Sequence, residues 1–146
     1  MSAVSGPARE GEAPGGGRAS LEPVVDMLAF FVAMRNYGYA DAIGNALEPA
    51  TALEVLGSAL RDFRSLCLDS SPQARRRLAA EKKVACPSVG GDELEGAVEM
   101  LRRMLVSRGR RGGLVQLLRE IYVSALARAS RFRLDGEERG GGGVSG

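Results

Sequence analysis

The sequence has no histidine, no tryptophan, only two cysteines, and few aromatic residues, 5% in all. Without histidine there is no imidazole for a metal site, no Ser-His-Asp triad and no Cys-His nucleophile pair. Cys67 and Cys86 form neither a C-x-x-C pair nor a zinc-binding spacing. They are expected to be small apolar residues in a reducing compartment, with a disulfide between them left open. A strong charge of one sign is missing too. Twenty Lys and Arg against 18 Asp and Glu leave +2, so the chain as a whole is not built to bind polyanions. The longest unbroken apolar run, Met27 to Met34, falls far short of the roughly 20 residues of a membrane span. No secretory leader or hydrophobic anchor is visible, and the expected location is cytoplasmic.

What remains is the composition of a folded domain, with 45% hydrophobic and 26% charged residues. The two ends are poor in core-forming residues. Residues 1–19 carry Gly6-Pro7, Pro14 and Gly15 to Gly17, and residues 135–146 are charged and then glycine-rich. Such stretches bury too little apolar surface to offset chain entropy, so both are expected to be flexible tails around a folded domain at 20–134.

Five segments carry helical punctuation. Ser20 is a candidate N-cap for a first helix holding Val24, Val25, Met27, Leu28, Phe31 and Val32, which slackens at Tyr37-Gly38-Tyr39. Gly44 and Pro49 mark a connector, with room for one further turn around Ala40 to Leu47. Thr51 and Glu54 match a capping box for a second helix with the stripe Leu53, Leu56, Leu60, Phe63 and Cys67. Ser71-Pro72 opens a basic, thinly apolar third segment. Asp92 and Glu95 open a fourth, with Leu94, Ala97, Val98, Leu101 and Leu105 facing inward. After Gly109 and Gly112-Gly113 comes the most apolar segment, Leu114 to Leu126. Its apolar circumference predicts the centre of the bundle. No strand alternation, hairpin turn or repeat is visible. The class is all-α: a compact bundle of five to seven helices around a central apolar helix.

Catalytic motifs are not found. Arg108 to Gly113 has glycines but lacks the Gly-Lys-Ser/Thr of a phosphate loop and follows no strand. The carboxylates are scattered over amphipathic faces, with no acid/base pair. The arginines at 75–77, 102–103 and 108–111 could form a basic face for nucleic acid. Without interleaved aromatics, solubilising outer faces explain them better. No cofactor and no metal is expected, and the chain is expected not to be an enzyme.

Three segments together resemble the Bcl (B-cell lymphoma two) family of apoptosis regulators, over roughly residues 20–130. The first helix ends, as in that family, in an aromatic-Gly-Tyr sequence, here Tyr37-Gly38-Tyr39. The second is similar to the family's third homology motif, with Leu53, Gly57, Ser58 and Leu60 at the right spacing and Ser58 where Asp is usual. Gly57 suggests a close helix approach. Met104 to Gly113 leading into Leu114-Val115 resembles the first homology motif, without its Asn and Trp. The second, Trp-rich homology motif and the membrane-anchoring tail have no counterpart. A short, diverged chain of this kind looks most like the homologues of large DNA viruses.

The resemblance implies a non-enzymatic inhibitor of host apoptosis that sequesters amphipathic pro-apoptotic helices, with recruitment to mitochondria through those partners. The implied groove is lined by Leu56, Leu60, Phe63, Val98, Leu101, Leu105, Leu114 and Leu118. Arg110 or Arg111, in a register left open, would meet the acid of the ligand helix. The alternatives are a helical module that binds an innate-signalling adaptor or a second copy of itself, and a basic helical nucleic-acid binder.

Overall fold

A computed structural model describes residues 20–108 and 112–134, and the expected tails at 1–19 and 135–146 lie outside this range. The described chain is mostly helical. Its helices are α1 (Glu22–Ala33), α2 (Gly38–Gly44), α3 (Pro49–Phe63), α4 (Pro72–Lys82), α5 (Gly91–Arg108) and α6 (Gly112–Arg128). A π-helical turn, Arg64–Leu68, continues α3, and a 3-10 turn, Ala129–Phe132, continues α6. The bundle expected from the sequence is therefore present, with the third, basic segment folded as α4.

The centre is α1, not the last helix. Every residue from Pro23 to Ala33 is buried except Asp26, because the segment is apolar around its whole circumference. α6, expected at the centre, buries Leu114, Leu118, Ile121 and Ala125 but leaves Val123 54% and Leu126 38% exposed. Leu117 is only half-buried, and Leu118 takes the core position. From Pro23 to Ala33 the single polar residue is Asp26.

That break is used. The Arg128 guanidinium at the end of α6 lies 2.9 Å from Asp26 and also pairs with Glu22, clamping α6 against the start of α1. Phe30 meets Phe31 and Phe63 edge-on at 5.4 and 5.5 Å, and Phe31 meets Tyr39 at 4.9 Å. This cluster ties α1 to α2 and α3 through the edge-to-face geometry that aromatic quadrupoles favour.

Several element boundaries move. Ser20 does not cap α1 in the expected way: its hydroxyl accepts from the Glu22 N–H and Leu21 is the N-cap. α1 ends where Arg35 turns left-handed at φ 70° and the Asn36 N–H reaches back to the Phe31 carbonyl. α3 opens at Pro49, so the proline is a first-turn residue rather than a connector, and Thr51 is already inside the helix. Its buried stripe is Ala52, Leu56, Ala59, Phe63 and then Cys67, which turns Leu53 and Leu60 to the flank. Ala52 and Ala59 are fully buried there. Gly44 belongs to α2, where a Cβ would sit 2.6 Å from the Tyr122 ring of α6.

Cys67 and Cys86 are not free. They form a disulfide with Cα atoms 5.7 Å apart. Local spacing carried no signal for it, since the pairing depends on the chain after α4 folding back. That return is marked by an isolated bridge between Val84 and Arg133, with the Ala85 N–H donating to Phe132 and the Leu134 N–H to Lys83, both at 2.8 Å.

With α1 at the centre, Phe30→Ala should lower unfolding free energy by about 3–5 kcal/mol. Val123→Ala on α6 should change it by no more than roughly 0.5 kcal/mol. Urea denaturation checks both, and the reverse order would return α6 to the centre.

Candidate protein-binding face

The residues expected to line a groove separate into two groups. Leu56, Phe63, Leu101, Leu105, Leu114 and Leu118 are fully buried and form core, not surface. Leu60 and Val98 are half-buried against it. Arg110 and Arg111 lie outside the described residues.

Leu60 and Val98 belong to helices that pack on each other, α3 and α5. At 100° per residue, Leu53, Gly57, Leu60 and Arg64 fall on one flank of α3 and its continuation, and Glu95, Val98 and Arg102 on one flank of α5. The two flanks face the same seam, because Arg64 pairs with Glu95 across it. The Arg64 guanidinium is also the nearest group, at 3.8 Å, to a Cβ built on Gly91 at the start of α5. Leu53, Leu60 and Val98 are the half-buried apolar side chains along this seam.

Gly57 sits between Leu53 and Leu60, and a Cβ added there would meet nothing within 4 Å. The close helix approach expected at Gly57 is therefore not made inside the domain. Gly96 on α5 has the same open space, but its helical neighbours Asp92, Glu93 and Glu99 are exposed acids. Among the described glycines with such open space, Gly57 has Leu53 and Leu60 as its i−4 and i+3 neighbours, beside the exposed Glu54 and Arg61.

On the opposite flank of α3 a shallow surface pocket of about 400 Å³ is lined by Asn36, Tyr39, Ala42, Glu54, Val55 and Ser58. None of these was singled out as a site residue from the sequence, although Tyr39 and Ser58 stand in the quoted motifs. The Tyr39 hydroxyl donates to the Asp62 carboxylate. That bond, with burial and the nearby negative charge, raises the phenol above its usual pKa of 10.0. A phenol held in its neutral form is a donor, not a nucleophile. Tyr122 is raised for the same first reason, a hydrogen bond to Asp41.

Among the described residues several arginines are engaged by neighbouring groups. Arg102 and Arg103 both bridge Glu99, at 3.2 and 3.5 Å. Arg75 turns inward to the carbonyls of Cys67 and Ser70, leaving Arg76 and Arg77 exposed on α4. Among the described residues no group of His, Cys, Asp and Glu could hold a metal ion. No described helix is long and apolar enough to cross a membrane. No protein-family model, curated protein or solved structure matches the chain.

The raised phenols have a pH consequence. A group with a higher pKa folded than unfolded supports the fold below its unfolded pKa, and that support fades as pH rises past it. Stability should therefore hold up to pH 10 and fall above it, with Tyr39→Phe flattening part of the loss. Thermal melts across the alkaline range, beside a phenolate absorbance titration, test this. An unchanged profile in Tyr39→Phe would contradict it.

Proposed function

We propose that this chain is a non-enzymatic protein-binding regulator that holds an amphipathic helix of a partner along the seam between α3 and α5. The observation that carries the reading is Gly57. A glycine in a helix interior costs about 0.5–1 kcal/mol relative to alanine, and none of the described residues approaches it closely enough to require one. A partner helix laid against Leu53, Leu60 and Val98 would use that open space, since glycine lets two backbones approach. Apolar anchors on such a ligand at i, i+3/i+4 and i+7 suit a strip of this kind. The likeness of Leu53-Gly57-Ser58-Leu60 to a Bcl homology motif supports pro-apoptotic helices as the ligand class and inhibition of host apoptosis as the role.

Burial narrows the proposal. With Leu56, Phe63, Leu101, Leu105, Leu114 and Leu118 in the core, the binding strip is shallower than the groove expected from the sequence. The same burial favours a second reading, in which the bundle binds a signalling adaptor or a second copy of itself through an outer face. Val123 and Leu126 on α6 are the exposed apolar residues for that role. Binding of nucleic acid is less well supported, because Glu99 engages Arg102 and Arg103.

Substitutions at Gly57 separate fold from function. Gly57→Ala should raise stability by about 0.5–1 kcal/mol. Gly57→Glu should leave the domain folded and weaken binding by more than about tenfold, a loss of roughly 1.4 kcal/mol. Fluorescence anisotropy with labelled pro-apoptotic homology-three peptides reads the affinity, for which sub-micromolar binding is expected. Unchanged affinity in folded Gly57→Glu would remove the seam as the site.

A further inference from the structure

The disulfide encloses a thinly buried part of the domain, where Leu78 is half-buried against the core. Between Asp69 and Gly90 only Val84 and Pro87 are buried. α4 itself buries no residue. Its helical form comes from local devices: Ser71 accepts the Ala74 N–H at 3.1 Å, Pro72 opens the first turn, and Lys83 ends the helix in a left-handed conformation. Arg75 reaches the Cys67 and Ser70 carbonyls at 3.2 and 2.6 Å, but both belong to the turn just before α4. Downstream, two main-chain hydrogen bonds join Lys83 and Ala85 to Leu134 and Phe132. Few buried apolar contacts and exposed backbone are the marks of a segment that opens locally.

We infer that residues 69–90 form a redox-controlled flap, closed while Cys67 and Cys86 are joined and opening as a unit when they are reduced. Cys86 is half-buried and so the more exposed cysteine of the pair, Cys67 being 6% exposed. A thiolate attacking the Cys86 sulfur would form a mixed disulfide and release Cys67 as a thiolate. A second thiol of the reductant then displaces Cys86, leaving two protein thiols and one disulfide of the reductant, a transfer of two electrons and two protons. The ring opened has its ends 19 positions apart. The entropy regained by a loop of that size corresponds to an opening equilibrium on the order of a hundredfold more favourable. Opening would loosen the cationic helix α4 and uncover Leu66 and Leu68, which are half-buried beside the disulfide. The device does not depend on what the α3–α5 seam binds.

Hydrogen exchange followed by mass spectrometry tests it on the full chain, oxidised and then reduced with dithiothreitol. Peptides covering 72–86 should exchange on the order of a hundredfold faster after reduction, while α1 and α6 keep their protection. Reoxidation should restore the slow rates. Cys67→Ser/Cys86→Ser should exchange like the reduced protein and ignore dithiothreitol. If that variant fails to fold, the reversible reduction of the wild-type chain decides alone. Unchanged exchange in 72–86, or loss of protection across the whole bundle, would overturn the inference.

Discussion

Burial of α1 on every side from Pro23 to Ala33, with Asp26 as the one polar interruption, sets the terms for the rest of the bundle. An all-apolar helix must be wrapped, and its neighbours supply one face each: α3 through Ala52, Leu56, Ala59 and Phe63, α5 through Leu94, Ala97, Leu101 and Leu105, α6 through Leu114, Leu118, Ile121 and Ala125. Asp26 then fixes rotation. A half-buried carboxylate needs a partner, and Arg128 provides it while also meeting Glu22. The hydrogen bond to Glu22, joined by that to Asp26, holds the guanidinium still more firmly in its charged form. One ion pair thus aligns the end of α6 with the start of α1, and the aromatic cluster aligns α2 and α3 with its other end.

Much of this was legible in the sequence. Periodic leucines placed the inner face of α5, and Ser71-Pro72 announced α4 although that helix has almost no apolar face. The errors have physical causes. Counting apolar residues overrated α6, because Val123 and Leu126 face out, and underrated α1, whose single aspartate is satisfied by a residue far along the chain. In α3, Ala52 and Ala59 take core positions in place of Leu53 and Leu60, which rotates the core stripe by about 40°. The disulfide and the Val84–Arg133 bridge are tertiary pairings that no local pattern encodes.

The site was legible only in part. Spacing alone cannot tell a leucine that lines a groove from one that fills a core, and most of the expected groove residues fill the core. The informative residue was Gly57. In sequence it signals a close approach, and in the fold it has open space above it; under the proposed function a partner helix would make that approach. Its flanking residues Leu53 and Leu60 contribute as the outward edge of a core helix, where one side of each is packed and the other available.

The most direct measurement is an amide chemical-shift titration of isotope-labelled protein with an unlabelled pro-apoptotic helix peptide. Shifts should concentrate at Leu53, Gly57, Leu60 and Val98 and leave the outward face of α6 unmoved. Shifts confined to Val123 and Leu126, or none at all from folded protein, would contradict a ligand helix seated between α3 and α5.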